Sequence, residues 1–516
     1  MKRAIRRPDA VHPSSPWLLW AIVGLGALLR FYHIGAKGLW IDESFSIWMA
    51  RQPPSAMLGW LARIDQHPPL YYTLLHTWIK LGDDPATVRA LSALCATLTL
   101  LVLALLGRRL IGPEAGLLAT LILALSPFHV RFAQEARMYA LLGLNASLAL
   151  YALACLLTGR RTWWVWAGYV VFTALTLLTH NTAVFLPLVA NLIVATLAWS
   201  QRRRPESEKT SLPSLRHWAL AQLGVILLWA PWAPALIRQS VGVYREFWIP
   251  PATLERVLGV FGAFLCRFLP LSGPLAGIVW LGLIGLTVLG ALSLHRRPIA
   301  LTLLLLTCLI PIAGQWLISI WRPILYTRTL IWASLPLYLL LAAAIVRLRR
   351  RFLAILALAL IVACNAGGVY SYYVDFQKEA WDEAAALVAE RVRPDDLLLF
   401  NATWVQIPFD YYFQRLYNGP PVDARGVPVD LFDRGVLEPK MTPQDLPRLH
   451  RLVASRERVW LIYSHNWYTD PQGLIPAALE DSLDLSRRWQ PTGVQVQLYT
   501  RPVVPLFGEQ TNNEPN

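Results

Sequence analysis

The residues with the most chemical reach are two adjacent carboxylates, Asp42 and Glu43, in the run Trp40-Ile41-Asp42-Glu43-Ser44. A carboxylate within hydrogen-bond reach of a hydroxyl can serve as its general base, and Asp42 is the first candidate for that role. Taken alone, an Asp-Glu pair is more often part of a solvated loop. Two further polar runs keep it company: His67-Pro68-Pro69-Leu70-Tyr71-Tyr72, and Phe128-His129-Val130-Arg131-Phe132-Ala133-Gln134-Glu135-Ala136-Arg137-Met138-Tyr139. In the latter, Glu135 and Arg137 stand at the mouth of an apolar stretch, where they either pair with each other as a clamp or bind a substrate.

Chemistry in which a phosphate departs needs cations or hydrogen-bond donors aimed at it. Arg30, Arg137, His180, Arg322 and Arg328 are the candidates. For Arg328 the plainer alternative is snorkelling to an interface, and for His180, in Thr179-His180-Asn181, it is a helix end. Arg245 and Trp248 either contact a sugar or belong to an aromatic belt. A divalent ion among Asp42, Glu43 and Glu135 is the one metal arrangement the acidic residues suggest, and no other cofactor is implied. No Gly-rich phosphate loop suited to a nucleotide sugar is present.

The elements that position these groups are membrane helices. Of 516 residues, 55% are hydrophobic and 15% charged, with 23 Trp, a balance too apolar for a water-soluble globule. Apolar runs of roughly 16 to 22 residues recur, each long enough for a hydrocarbon core, and only helices satisfy their own backbone there. The net charge of +15 resides in short Arg clusters between apolar runs, without the single basic stripe expected of a nucleic-acid binder. Placing every cluster in the cytoplasm with the N-terminus predicts eleven spans, near 17–33, 90–107, 114–130, 138–157, 162–179, 182–199, 217–235, 274–294, 299–320, 330–346 and 352–370. The first is read as an uncleaved span, since no small-residue cleavage site follows it.

Two more apolar stretches, 68–81 and 254–271, break this parity and are expected as short helices on the outer face. The five cysteines all lie in apolar segments and read as small hydrophobes. From 371 the composition becomes that of a soluble domain. Trp381, Ala385, Val388 and Val392 mark a helical stripe, and 397–400, 459–463 and 494–499 read as strands. The expected organisation is a cytoplasmic N-terminus (1–16), a membrane domain (17–370) with outer loops 31–89 and 128–137, an extracytoplasmic α/β domain (371–507) and a disordered tail (508–516).

With these runs in place, the sequence closely resembles the GT-C membrane glycosyltransferases, in particular the dolichyl-phosphate-mannose-protein mannosyltransferase-like group and its bacterial relatives that use polyprenyl-phosphate sugars. Leu39-Trp40-Ile41-Asp42-Glu43-Ser44 resembles the group's first-loop acidic motif, His67 to Tyr72 its Pro-Pro motif, and Ala133 to Tyr139 its second-loop motif. The likeness covers residues 15–345. It implies a polytopic α-helical GT-C fold in the plasma membrane and an inverting transfer of a mannose-like hexose from polyprenyl phosphate to a hydroxyl on an outer-face glycan, lipid or protein. Asp42 would be the base or orient the acceptor, with Glu43 beside it. Glu43 and Glu135 would help shape the acceptor or sugar site, and Arg328 would hold the lipid phosphate; the residues themselves add Arg137, His67, Tyr71, His180 and Arg30 as candidates for binding the substrate. The tail domain resembles the variable outer domains of the group, which suggests acceptor recognition.

Two other classes compete with the enzyme. A transporter or flippase of lipid-linked sugars would share the spans, but its ionisable groups belong at mid-membrane and its halves repeat, and neither feature is visible. A non-catalytic glycan-binding scaffold would leave Asp42 merely structural.

Overall fold

The computed structural model describes residues 16–63, 67–202, 212–242, 252–270, 272–433 and 439–502. Residues 1–15, Arg245, Trp248 and the tail at 508–516 fall outside them. The chain divides into two compact units: Met1–Lys37 with Met49–Phe376, and Gly38–Trp48 with Gln377–Asn516.

In the first unit, eight helices among the described residues are long and apolar enough to cross a bilayer: Pro85–Leu110, Tyr139–Leu157, Asn181–Gln201, Leu215–Gln239, Gly273–Ser293, Pro298–Ser319, Thr327–Arg347 and Arg351–Val374. Two shorter apolar helices, Pro16–Phe31 and Trp163–Leu177, occupy two more of the expected positions. The remaining one, expected as a straight span at 114–130, is instead a pair of helices, Pro113–Leu125 and Pro127–Ala133, bent by 62°.

Proline explains that break. Pro127 has no N–H to give the carbonyl of Leu123, so the ladder ends there and carbonyls are left over. Arg30 takes two of them: Nη2 donates to Leu123 O (3.0 Å) and Nη1 to Ala124 O (3.1 Å), while Nη1 also donates to Gly26 O of its own helix (2.9 Å). Ser126 caps the new helix, its Oγ accepting from His129 N at 3.4 Å.

The helices sort by burial. Of the central window of Thr327–Arg347, 94% is buried, and of Tyr139–Leu157, 83%, so these form the heart of the bundle. Only 17% of the window of Gly273–Ser293 is buried, and its Leu275, Ile278 and Leu281 are exposed, as suits a helix facing lipid. The stretches 68–81 and 254–271 form short helices, Leu70–Trp78 with the turn Ile79–Leu81, and Leu254–Cys266.

The second unit holds a five-stranded sheet of β1 (Leu397–Asn401), β2 (Asp423–Gly426), β3 (Arg458–Tyr463), β4 (Asp484–Trp489) and β5 (Gln495–Thr500) in the order β2-β1-β3-β5-β4. β1 pairs in parallel with β2 and β3, while β5 runs antiparallel to β3 and β4. Alternation along β1 splits its side chains between two cores. Leu398 and Phe400 pack with Trp381, Phe409 and Trp460, and Leu397 and Leu399 with Leu449, Leu461 and Ile475. Burial on both faces explains why β1 and β3 are continuous apolar runs. Ile41 belongs to the first of these cores, which is how the acidic segment joins this unit.

Candidate active site

In the membrane unit, the residues of the second-loop run form an irregular turn between Pro127–Ala133 and Tyr139–Leu157. Gln134 fastens it. Its amide donates to Tyr32 O (2.7 Å) and Arg30 O (3.2 Å), and its Oε1 accepts from Tyr372 OH (3.1 Å). Arg89, buried in the helix Pro85–Leu110, donates to the carbonyls of Ile34 (2.8 Å) and Lys37 (2.7 Å) and so holds the start of the first loop.

Arg137 is the centre of the cluster this turn presents. It is 3% exposed, and its Nη1 donates to Tyr72 OH at 3.2 Å. The Leu70 N–H donates to Leu178 O (3.1 Å), joining the Pro-Pro run to the end of Trp163–Leu177. That brings His67 against His180, with ring centroids 5.4 Å apart, while Tyr139 lies 6.3 Å from His180 on another side. Arg328 lies over Tyr139 (5.2 Å) and Tyr326 (4.4 Å), and His67, Arg328 and Arg137 all lie near His180. Tyr71 is buried beside Tyr72 at 5.9 Å. Four separate stretches of chain thus bring His67, Tyr71, Arg137, His180 and Arg328 together. Two of them enter as 3₁₀ turns, Asn181–Val184 and Thr327–Ser334, the second far longer than such turns usually run.

Glu135 pairs with Arg131, four residues earlier, and not with Arg137: Arg131 Nε stands 2.9 Å from Oε1. Arg131 also lies over Phe376 (4.6 Å) and Phe132 (5.3 Å), and Arg267 over Phe268 (5.0 Å). Burial, and then the like charge of Arg131, push the Arg267 guanidinium below its ordinary value, with Tyr326 and Glu135 opposing. An anion here would relieve that crowding. Gly368 makes room for the turn, since a Cβ there would meet the Arg267 carbonyl.

Sequence reasoning missed Arg131 and Arg267 as site residues. The signals were present: Arg131 lies four residues before Glu135, and Arg267 lies within the stretch 254–271 expected as a short helix on the outer face. Arg30, by contrast, is fully buried and turned to the carbonyls at the helix break. Arg322 is half-buried in the segment after Pro298–Ser319.

Asp42 and Glu43 belong to the other unit. They occupy the first turn of the helix Ile41–Arg51, where the helix dipole favours negative charge. Asp42 is half-buried. Glu43 is fully buried, its Oε2 2.8 Å from Lys378 Nζ. Around them, Leu39 N donates to Tyr412 OH (2.7 Å) and Ile41 N to Glu379 Oε2 (3.4 Å). Among the described residues no group of three His, Cys, Asp or Glu side chains could hold a metal ion. Glu43 is engaged by Lys378 and Glu135 by Arg131.

The sequence matches a family model for dolichyl-phosphate-mannose-protein mannosyltransferase over residues 66–232. No curated relative matches it. Among solved structures, the fold is similar to ArnT from Cupriavidus metallidurans in the apo state, with 14% identity, a TM-score of 0.63, and coverage of 94% of this chain and 98% of that one. ArnT bound to undecaprenyl phosphate matches at a TM-score of 0.60, 14% identity, and coverage of 96% and 100%. The apo Archaeoglobus fulgidus oligosaccharyltransferase matches at 0.57, with 10% identity and coverage of 95% of this chain and 75% of that one. Within residues 66–232 the chain is thus similar to the dolichyl-phosphate-mannose-protein mannosyltransferase family, and along nearly its whole length it has the fold seen in ArnT and the oligosaccharyltransferase.

Proposed function

We propose that the protein transfers a mannose-like hexose from a polyprenyl-phosphate donor to a hydroxyl of a glycan, lipid or protein on the outer face of the plasma membrane. The N-terminus is then cytoplasmic, and the sheet-bearing unit extracytoplasmic. The observation that carries the reading is the gathering of His67, Arg137, His180 and Arg328, from four stretches of chain, inside a GT-C fold.

In this reading Asp42 takes the acceptor hydroxyl proton as its oxygen attacks the anomeric carbon, and the bond from that carbon to the phosphate oxygen breaks. One displacement inverts the anomeric centre. The departing polyprenyl phosphate carries the developing charge, which Arg137, Arg328 and Arg267 stabilise in a setting poor in water. Glu135 orients a sugar hydroxyl, and Glu43 is a positioning residue that fixes the helix bearing Asp42. Arg30 has a structural role.

The test is mass spectrometry of envelope glycans and lipids from cells lacking the protein, complemented with wild type or Asp42→Asn. A hexose that is lost with the protein and restored by wild type but not by the variant is the expected result. Full restoration by Asp42→Asn overturns the base assignment, and an unchanged glycan profile in the deletion strain overturns the transferase reading.

A further inference from the structure

The sheet of the second unit changes direction at β1. The chain runs from β1 outward to β2 and then returns to place β3 on the other side of β1. In open parallel sheets, ligands collect outside the carboxyl ends of the strands where the order reverses, because the two connections leave in opposite directions and open a crevice. Here the ladder runs on for one residue past the strands, with Ala402 N donating to Ser464 O (2.9 Å) and Ser464 N to Asn401 O (2.7 Å). Beyond it stand Trp404 and His465, with ring centroids 5.7 Å apart.

These two residues have features that a purely structural loop does not need. His465 sits at φ 55°, a left-handed conformation that costs energy for a residue with a side chain. Its Nε2 lies 3.3 Å from Glu379 Oε1, and the other Glu379 oxygen accepts from Trp381 Nε1 (2.7 Å) and Ile41 N (3.4 Å). Gly493, at φ 74°, leaves space beside this carboxylate, where a Cβ would come within 3.0 Å of Glu379 Cγ. Trp404 is nine-tenths buried, yet its Nε1 has no hydrogen-bond partner among the described residues. Two residues past His465, Trp467 is 63% exposed.

We propose that the cluster of Trp404, His465 and Glu379, with the exposed Trp467 two residues beyond His465, binds a pyranose ring of the acceptor; the assignment rests on the glycosyltransferase reading above. Indole faces suit the C–H face of a sugar, and indole N–H groups reach its oxygens. The Trp404 N–H lacks an acceptor, which a sugar hydroxyl oxygen would supply. Glu379 and His465 offer a carboxylate and an imidazole to the remaining hydroxyls. Through Ile41 the same carboxylate is tied to the helix that bears Asp42, so a ring held here places the acceptor beside the base.

The test is saturation-transfer NMR on the full-length protein in lipid nanodiscs with methyl α-mannoside, methyl β-glucoside and methyl β-N-acetylglucosaminide, alongside a transfer assay. Trp467→Ala alters an exposed side chain, and His465→Asn keeps a residue that tolerates the left-handed conformation. At least one glycoside is expected to bind wild type, with affinity falling about tenfold or more in each variant. No binding by any of the three, or binding undiminished in both variants, overturns the subsite. So does a Trp467→Ala variant that loses vesicle association while binding glycoside normally. Variant-sensitive glycoside binding by a protein that transfers no sugar supports the subsite and overturns the transferase reading. Transfer without glycoside binding does the reverse.

Discussion

Arg131 and Glu135 form an ion pair one helical turn apart that uses only half of the carboxylate. Oε1 lies 2.9 Å from the guanidinium, while Oε2 is buried with no hydrogen-bond partner among the described residues. A buried acceptor oxygen left in this state is costly, and a substrate hydroxyl would satisfy it. Glu135→Gln keeps an oxygen facing Arg131 but removes the charge. Steady-state transfer kinetics are expected to show kcat/KM falling by about 100-fold, with the protein still folded. A loss smaller than about threefold would remove Glu135 from the substrate site.

The Glu43–Lys378 pair is a different case, because both partners are buried. Removing one charge from a buried pair costs about 3–5 kcal/mol, whereas replacing both with apolar residues is often neutral. Lys378→Met alone is therefore expected to lower the unfolding temperature sharply. The double variant Glu43→Leu with Lys378→Met should recover most of it, together with transfer to within about tenfold of wild type. If stability returns and transfer stays absent, Glu43 acts in the chemistry itself.

Asp410 makes the second unit sensitive to pH. Burial lifts its carboxyl to about 7, and the Gln406 amide, donating at 3.2 Å, pulls the other way. The folded state therefore holds a proton that the unfolded chain gives up in the ordinary carboxylate range. Its stabilising contribution is complete below that range and is lost as the pH rises through about 7. Calorimetry across this window should show the unfolding temperature of the unit falling with pH, and Asp410→Asn should flatten that part of the curve.

Asp396, 2% exposed, gathers three donors: Arg458 Nε (2.9 Å), Trp460 Nε1 (2.7 Å) and Arg393 N (3.0 Å). Asp396→Ala leaves the buried indole N–H and a largely buried guanidinium without their acceptor. A loss of about 3 kcal/mol is expected in denaturant titrations. Asp396→Asn, which keeps one acceptor oxygen, should lose less.

The membrane helices were legible in the sequence because lipid imposes length and composition on each span separately, and each expected position holds an apolar helix. The break at Pro127 was not, since the apolar run continues through it and the guanidinium that donates to the carbonyls there belongs to Arg30, far away in sequence. β1 and β3 could be read because they are buried on both faces. β2 and β4 could not: Asp-Ala-Arg-Gly and Asp-Leu-Ser-Arg-Arg-Trp are edge strands whose charged side chains face water and hide the period of two. In the site, the runs around His67 and Glu135 stood out through residue types unusual beside apolar spans. Arg267 was hidden because its importance comes from Arg131, Tyr326 and Glu135, which no local pattern brings near it.

The assignment of Gly38–Trp48 to the same compact unit as the chain from Gln377 onward has a consequence for biogenesis. Lys378 follows Glu43 by 335 residues, so at ordinary elongation rates of about 5–20 residues per second the ribosome needs tens of seconds to supply it. Throughout that interval the nascent protein holds its spans without a finished acidic segment. Maturation of the protein is thus timed by the part of the message that encodes Lys378, and a product truncated before it would never assemble the setting of Asp42.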